Sequence, residues 1–334
     1  MKLVLGIWGE RMAYRGPLAG SGMNAVRQTT IGAAVTLSGV GVHSGKEARL
    51  SLAPAPADTG IVFHRIDSAQ SVRASRDAVR GSDLATVLRD ESGPAVSTVE
   101  HLMACFAGLG IDNVYVEIDG PEVPILDGSA GEFVAAVDGV GVVEVAAPRR
   151  YLRVLKTVRV ETEAGYAELS PYDAGFRLEV EIDFAHAAIG RQRYAATLSP
   201  AVFRKELAGA RTFGFVADVE RLWQAGYALG ASLDNTICLN ADGVLNTTGL
   251  RFADEFVRHK AMDAVGDLAI SGLPLMARFR SYKGGHKLNF AVVDALLSDR
   301  SAYEIVEAKL PARRSVRGNV GLIDVAVPAY APEL

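Results

Sequence analysis

The stretch DEFVRHKAMDAVGDL, residues 254–268, has the apolar rhythm of a helix and places His259 and Asp263 four residues apart. Side chains at positions i and i+4 lie one above the other on one helix face. An imidazole and a carboxylate in this arrangement supply half of a metal site, or they form an exposed ion pair. The ion pair is the commoner use of the spacing, so this helix alone does not separate the two interpretations.

A second stretch, VEHLMACFAGL at residues 99–109, repeats part of the pattern. Both stretches contain Val-x-His, and a glycine follows each histidine by seven residues, at Gly108 and at Gly266. If the match is more than chance, each half of the chain has a similar helix with one histidine. Two such helices facing each other would bring His101 and His259 together at a domain interface, where ligand pockets are common.

Strand-like and helix-like segments are grouped along the chain rather than strictly alternating. Short runs rich in Val, Thr and Ile, punctuated by Gly and Pro, begin near Arg27, and a second series follows the linker-like AAPRRY at residues 146–151. Grouping of this kind favours an α+β fold over a doubly wound parallel sheet. We predict an N-terminal α+β domain at residues 26–147 and a C-terminal α+β domain at residues 151–330.

Bulk properties narrow the functional class. A length of 334 residues suggests two domains of about 150 residues each. The formal net charge of −4 offers no basic surface to nucleic acid, and no apolar run reaches the ~20 residues of a membrane span. Cys105 and Cys238 lie in apolar runs, which predicts buried thiols rather than a disulfide. We expect residues 1–25 to be a disordered extension, with Met23 a candidate for the natural start.

The candidate metal ligands are His101, His259 and Asp263. A catalytic zinc takes three protein ligands and keeps one position for water, whose pKa then falls to about 7. Glu100, next to His101, is a candidate base for that water. It is equally a candidate for a capping box with Ser97 at the start of its helix.

The segment SYKGGHKLN, residues 281–289, places His286 after two glycines. A protonated imidazole there would stabilise an oxyanion or protonate a leaving amine. A surface loop with basic residues is the alternative, and for this segment in isolation it is the commoner case.

The segment GARTFGFV, residues 209–216, places Thr212 beside two phenylalanines. The Thr212 hydroxyl is a candidate oxyanion donor, with Phe213 and Phe215 lining a pocket. Their i, i+2 spacing is also that of one strand face packed into a core.

Taken together, the candidate residues of these segments indicate a mononuclear zinc hydrolase, without an HExxH or CxxC motif to support it.

Four long, ordered motifs carry a more specific signal: STVEHLMACFAGLGIDNVYVEIDGPEVPILDGSA, ARTFGF, LRFADEFVRHKAMDAVGDL and YKGGHKLN. Together they resemble the UDP-3-O-acyl-N-acetylglucosamine deacetylase family, and the likeness runs from about Gln28 to about residue 325. That family comprises zinc amidases at the committed step of lipid A synthesis in Gram-negative bacteria. The resemblance implies a cytoplasmic enzyme that hydrolyses the N-acetyl group of UDP-3-O-(3-hydroxyacyl)-N-acetylglucosamine and releases acetate.

The resemblance also implies a role for each candidate residue. The implied roles are zinc ligand for His101, His259 and Asp263, general base for Glu100, proton donor for His286, orienting carboxylate for Asp267, and oxyanion donor for Thr212. Lys260 and Lys283 would face the nucleotide diphosphate and the sugar. We expect a monomer with one Zn²⁺ per chain, a small-molecule UDP-sugar lipid substrate, no nucleic-acid partner and no stable membrane insertion.

The family fold implies two similar two-layer sandwich domains, each a sheet with helices, packed with the active site between them. An insertion around residues 186–240 would wall a tunnel for the acyl chain, with Val216, Val219, Leu222 and Ala228 as candidate wall residues. Phe213, Phe215 and Ala231 are further candidates for substrate binding. Ala231 stands where the family often has glycine, and we expect its methyl group to favour a shorter or medium acyl chain. Two alternatives stay open, namely a zinc amidase acting on another acylated amino sugar and a non-catalytic protein that binds zinc or a nucleotide sugar.

Overall fold

The structure, a computed structural model, describes residues 27–308 apart from residues 92 and 94. Mixed sheets and separate helices make the fold α+β, which confirms the predicted class. The predicted extension at residues 1–25 lies outside the described residues, as does the C-terminal domain beyond residue 308. Within the described residues, no helix is both long and apolar enough to cross a membrane.

The first half of the chain builds a five-stranded sheet, two two-stranded sheets and two main helices. Its strands are β1 Arg27–Ile31, β2 Val35–Val40, β3 Glu47–Pro54, β4 Ile61–Arg65, β5 Gln70–Arg73, β6 Val79–Gly81, β7 Val87–Leu88, β8 Val114–Ile118 and β9 Val142–Pro148, and its helices are α1 Glu100–Leu109 and α2 Gly131–Val140. The large sheet has the order β2-β3-β8-β4-β5, while β1 pairs with β9 and β6 pairs with β7. Burial alternates along β3, so one face of the sheet joins the core.

The second half builds a seven-stranded sheet, a three-stranded sheet and four α-helices among the described residues. Its strands are β10 Arg150–Val154, β11 Val158–Glu161, β12 Tyr166–Ser170, β13 Phe176–Asp183, β14 Arg191–Thr197, β15 Phe213–Phe215, β16 Ile237–Asn240, β17 Gly243–Val244, β18 Leu275–Tyr282 and β19 Tyr303–Glu307, and its helices are α3 Pro200–Val202, α4 Val216–Gln224, α5 Glu255–Leu268 and α6 His286–Ser298. The larger sheet runs β11-β12-β18-β10-β19, with β13 pairing β14 and β18. Strict alternation of burial along β13 and β18 puts one face of each on the core.

Helices α1 and α5 join the two halves. A Cβ on Gly266 would lie 1.9 Å from the carbonyl oxygen of Glu100, so a side chain at position 266 would force the two helices apart. Gly108 is similarly restricted, because a Cβ there would lie 2.3 Å from the ring of Phe203. At each of the two glycines shared by the sequence motifs, another part of the chain approaches the helix too closely for a side chain.

The start of α1 differs from the predicted capping box. Ser97 is not the N-cap: its hydroxyl donates to the carbonyl of Pro121, and the helix begins at Glu100. Thr98 has a positive φ of 57°, and this turn carries the chain away from the geometry that a Ser97 cap requires. The Glu100 carboxylate is therefore not occupied by capping. The two cysteines are free thiols, as predicted. Cys105 is buried as expected, but Cys238 is only half-buried, so the predicted burial was wrong for Cys238.

Candidate active site

Two helices supply most of the candidate site. Glu100 and His101 are the first two residues of α1, while His259, Asp263 and Asp267 follow one another at four-residue intervals along α5. All five residues are at least 96% buried. The helix at residues 254–268 is therefore not half-exposed, and its histidine and carboxylate do not form a surface ion pair.

The three candidate metal ligands converge on one point. The ligand atoms of His101, His259 and Asp263 all lie within 4.8 Å of one another. Asp263 Oδ1 lies 3.3 Å from His259 Nε2 and 3.5 Å from His101 Nε2. Tetrahedral zinc with bonds of about 2.0–2.2 Å has ligand–ligand edges of about 3.3–3.6 Å, so both distances fit such an ion.

The hydrogen bonds and the pKa of His259 also suit a cation. Asp263 Oδ1 is buried and has no hydrogen-bond partner among the described residues, although buried polar atoms are normally paired. His259 Nδ1 donates to the carbonyl of Ala210 at 3.1 Å, which leaves the Nε2 lone pair facing the other two residues. Burial lowers the pKa of His259 to about 3, so the imidazole is neutral, as a metal ligand must be.

Glu100 and His286 lie beside this cluster. Glu100 Oε1 is 3.9 Å from His286 Nε2, which is also 3.9 Å from Asp263 Oδ2. Burial raises the pKa of Glu100. Burial opposes a charge on His286, but the neighbouring carboxylates of Asp267 and Glu100 raise its pKa to about 9. His286 opens α6 and is 9% exposed, so it does not belong to a basic surface loop.

Asp267 connects His286 to two residues that the sequence did not single out. Its Oδ2 lies 2.8 Å from His286 Nδ1 and accepts a bond from Asn289 Nδ2 at 2.9 Å. Its Oδ1 accepts a bond from the hydroxyl of Thr86 at 2.7 Å. The backbone N–H of Thr86 also donates to Glu100 Oε2 at 3.0 Å. One buried threonine thus contacts both carboxylates that flank His286.

Lys260 and Phe213 border the metal cluster. Lys260 Nζ lies 3.0 Å from Asp263 Oδ2, and the attraction of Asp263 outweighs burial and raises the pKa of Lys260. Lys260 Nζ is also 5.7 Å from the centre of the Phe213 ring. The Phe213 ring lies 6.2 Å from the ring of His259 and 5.0 Å from that of Phe256. Phe213 therefore packs on the core and borders the cluster at once.

Thr212 and Phe215 lie in or next to β15 of the three-stranded sheet, and Lys283 directly follows the end of β18. Thr212 is half-buried two residues after Ala210, whose carbonyl bonds His259. Phe215 packs on the rings of Phe184 and His186, at 6.1 and 5.6 Å, so core packing accounts for its position. Lys283 Nζ lies 3.3 Å from Asp183.

Several large apolar side chains in the segment after β15 are exposed to solvent. In and after α4, large apolar side chains stand in solvent, among them Val216 at 44%, Trp223 at 57% and Leu229 at 54% exposure. Val219 is half-buried on α4, and Ala231 is exposed beyond its end. The tunnel predicted for residues 186–240 stays a prediction, as do the two domain boundaries.

Comparison with known proteins places this site in a family. A family model described as UDP-3-O-acyl N-acetylglycosamine deacetylase matches residues 28–298. Relatives from Brucella ovis, Brucella canis and Brucella melitensis biotype 2, each named UDP-3-O-acyl-N-acetylglucosamine deacetylase, are 57% identical over 289 residues. The match covers 86% of this chain and 100% of each relative. The chain that brings these buried histidines and carboxylates together belongs to the UDP-3-O-acyl N-acetylglycosamine deacetylase family.

Proposed function

We propose that this protein hydrolyses the N-acetyl group of UDP-3-O-(3-hydroxyacyl)-N-acetylglucosamine, releasing acetate, at the committed step of lipid A synthesis. One observation carries the proposal: three converging metal-ligand side chains lie directly beside a buried carboxylate and a buried histidine with a raised pKa. A binding protein needs no acid and base beside its ligand, so this pairing favours catalysis over the non-catalytic alternative.

One Zn²⁺ per chain is the metal we propose, held by His101, His259 and Asp263. Two imidazoles and one carboxylate are a donor set typical of catalytic zinc. Zinc in this position would supply Lewis acidity, polarising the amide carbonyl and lowering the pKa of a water. Because all three ligands come from one chain, a monomer suffices, and we propose that state.

The other residues take complementary roles in amide hydrolysis. Glu100, 3.9 Å from His286 and beside His101, accepts the proton of the attacking water. Thr212 donates to the oxyanion that develops on the acetyl carbonyl. His286, protonated at neutral pH because its pKa is raised, donates a proton to the departing amine. Asp267 accepts from His286 Nδ1 and so fixes the ring with Nε2 turned toward Glu100.

The substrate extends beyond the reacting amide in two directions. We propose that Lys260 and Lys283 face the sugar and the diphosphate, since ammonium groups act as point charges for phosphate. The exposed apolar side chains in and after α4 would receive the acyl chain, together with Phe213, Phe215, Val219 and Ala231. A nucleotide-linked substrate also supports a cytoplasmic location.

The test is release of acetate from UDP-3-O-(3-hydroxyacyl)-N-acetylglucosamine by the purified full-length chain, measured with and without stoichiometric zinc. We expect zinc-dependent release and no release from free N-acetylglucosamine. Release from a different acylated amino sugar alone would favour the second amidase hypothesis. Tight binding of the nucleotide sugar without any acetate would favour the non-catalytic one.

A further inference from the structure

Thr86 lies in a loop between β6 and β7 and is 3% exposed. All three of its polar groups face the catalytic helices. Its N–H donates to Glu100 Oε2, its hydroxyl donates to Asp267 Oδ1, and its carbonyl accepts from the N–H of Val99. A threonine that served only packing would not need to bind both carboxylates.

We propose that Thr86 is a positioning residue, which sets the rotamer of Asp267 and through it the orientation of His286. A carboxylate can only accept hydrogen bonds when ionised, and those of Asp267 come from Thr86 on one oxygen and from Asn289 and His286 on the other. Without the Thr86 hydroxyl, Asp267 Oδ1 is a buried acceptor with no partner. The carboxylate is then free to rotate, and the His286 ring turns with it.

The inference rests on the proposed deacetylation. Two variants separate the hydroxyl of Thr86 from the shape of its side chain, because Thr86→Val keeps the shape and loses the hydroxyl, whereas Thr86→Ser keeps the hydroxyl. Thr86→Val should lower kcat by roughly 10- to 100-fold, as is usual when a group behind a reacting residue is lost. KM and zinc content should stay as in the wild type, because the Thr86 hydroxyl bonds Asp267 and none of the three proposed zinc ligands. Thr86→Ser should keep kcat within a few-fold. Thr29→Val is the matched control, since it also removes a buried hydroxyl donor, the one that bonds the Gly110 carbonyl at 2.6 Å.

A readout independent of turnover is the proton on His286 Nδ1, observed by NMR in the metal-free protein. Its downfield resonance should shift or vanish in Thr86→Val and persist in Thr86→Ser and Thr29→Val. Equal kcat in Thr86→Val and the wild type, or equal losses in the Val and Ser variants, would overturn the inference. If Thr86→Val does not fold, Thr86→Ala is judged by the same criteria. A wild type without deacetylase activity would instead contradict the proposed function, and the NMR comparison would still judge Thr86.

A separate observation is a cavity of about 110 Å³ between the two halves, lined by none of the residues proposed for catalysis. Its apolar lining comes from both halves and includes Ile61, Met103, Phe106, Val265, Leu268 and Leu273. The cavity opens to solvent on one side, where Asp58 and Arg73 are exposed, and its apolar part lies deeper, against α1 and α5. For comparison, an engineered apolar cavity of about 150 Å³ takes up benzene.

The polar part of this lining is rich in arginine. Arg149 pairs with Asp112 at 2.9 Å, and Arg150 pairs with Asp58 at 2.6 Å. Arg73 also lines the cavity and donates to the backbone carbonyl of Asp58 rather than to a carboxylate. The described lining thus holds three guanidiniums and two carboxylates, a net charge of +1, and a guanidinium suits a carboxylate.

From the apolar lining and this surplus charge we infer that the cavity binds a small amphiphilic anion. The chemical class is an aliphatic or aromatic group of about six carbons with one carboxylate, judged by the benzene comparison. Such a ligand would contact α1 beyond His101 and α5 on either side of Asp267, since Met103, Val265 and Leu268 line the cavity.

The probe is hexanoate, added to the full-length protein, with hexanol and hexylammonium at equal concentration and ionic strength as comparisons. Hexanoate should raise the Tm of the protein more than hexanol or hexylammonium does. Arg73→Gln should reduce the effect to that of hexanol, and Ala107→Leu or Ala269→Leu, which fill the cavity, should abolish it. Ala135→Leu, on the exposed side of α2, should leave it unchanged. Equal shifts from the three probes would overturn the inference, as would an undiminished shift in whichever cavity-filling variant folds.

Discussion

Gly266 on α5 and Glu100 on α1 touch through their backbones, and a Cβ on Gly266 would come within 1.9 Å of the Glu100 carbonyl oxygen. Glu100 is the proposed base, and the next residue of α1, His101, is one of the proposed metal ligands. The other two ligands lie on the neighbouring turns of α5. The separation of α1 and α5, and with it the distance between His101 and His259, therefore depends on having glycine at position 266.

Replacing Gly266 with alanine should lower both stability and metal affinity. Forcing an added methyl into a closely packed contact costs about 1–3 kcal/mol, and here the obstacle is backbone that cannot rotate away. Thermal unfolding and zinc content measure the two effects. Gly139→Ala is the matched control, because a Cβ there meets nothing within 4 Å and Gly139 lies inside α2. It should gain about 0.5–1 kcal/mol from helix propensity, and a Gly266→Ala protein as stable as this control would contradict the packing argument.

Removing any one of His101, His259 and Asp263 should empty the metal site. A catalytic zinc usually has three protein ligands, and two are too few to hold it. His101→Ala, His259→Ala and Asp263→Ala should each lose zinc and activity together, measured by elemental analysis and acetate release. His64→Ala, which removes a strand histidine bonded to Ser71, should keep both. Stoichiometric zinc in a folded His259→Ala protein would show that the ligand set is wrong.

Glu100→Gln should separate base from ligand. The amide oxygen can still accept from the Thr86 N–H, so the local fold is retained, but an amide cannot take a proton. We expect zinc content to stay at one per chain and kcat to fall by roughly 10²–10⁴-fold, as for a lost general base. If Glu100→Gln loses its zinc, Glu100 is a ligand and the proposed roles must change.

The sequence allowed the convergence of these side chains to be predicted in part, because helical spacing sets which of them share a face, whereas the choice of a metal site over an ion pair came from the family resemblance. His259, Asp263 and Asp267 stand at four-residue intervals, and this places them on one face whatever surrounds the helix. The partner helix followed from the repeated Val-x-His and glycine pattern. The α+β class followed from the grouping of strands and helices.

Other features depend on the tertiary fold and left no mark in the sequence. Thr86 is a loop threonine between short strands, and nothing local indicates that its hydroxyl meets a carboxylate 181 positions later. Asn289 was inside a quoted motif, but its role requires that α6 pack beside α5. The capping box at Ser97 was wrong because the turn at Thr98 adopts a positive φ that residue preferences do not reveal.

Asp267→Asn should move the alkaline limb of the pH–rate profile to lower pH. The proton donor must be protonated, so activity is present below the pKa of His286 and is lost as pH rises through it. The carboxylates of Asp267 and Glu100 raise that pKa to about 9, and removing one neighbouring charge lowers it by about one to three units. A bound divalent cation lowers the pKa in both proteins, so the comparison is made at equal zinc content.

The measurement is kcat/KM against pH for the wild type, Asp267→Asn and Asp242→Asn, the last an exposed turn residue that serves as control. The control should reproduce the wild-type limb. The limb of Asp267→Asn should lie at lower pH, with a lower maximum because the amide no longer holds the imidazolium as firmly. If the limbs of Asp267→Asn and the wild type coincide while the maximum falls, Asp267 orients His286 without setting its charge. If both the limb and the maximum are unchanged, His286 is not the proton donor, because its only carboxylate partner within 3 Å among the described residues would then have no influence on the reaction.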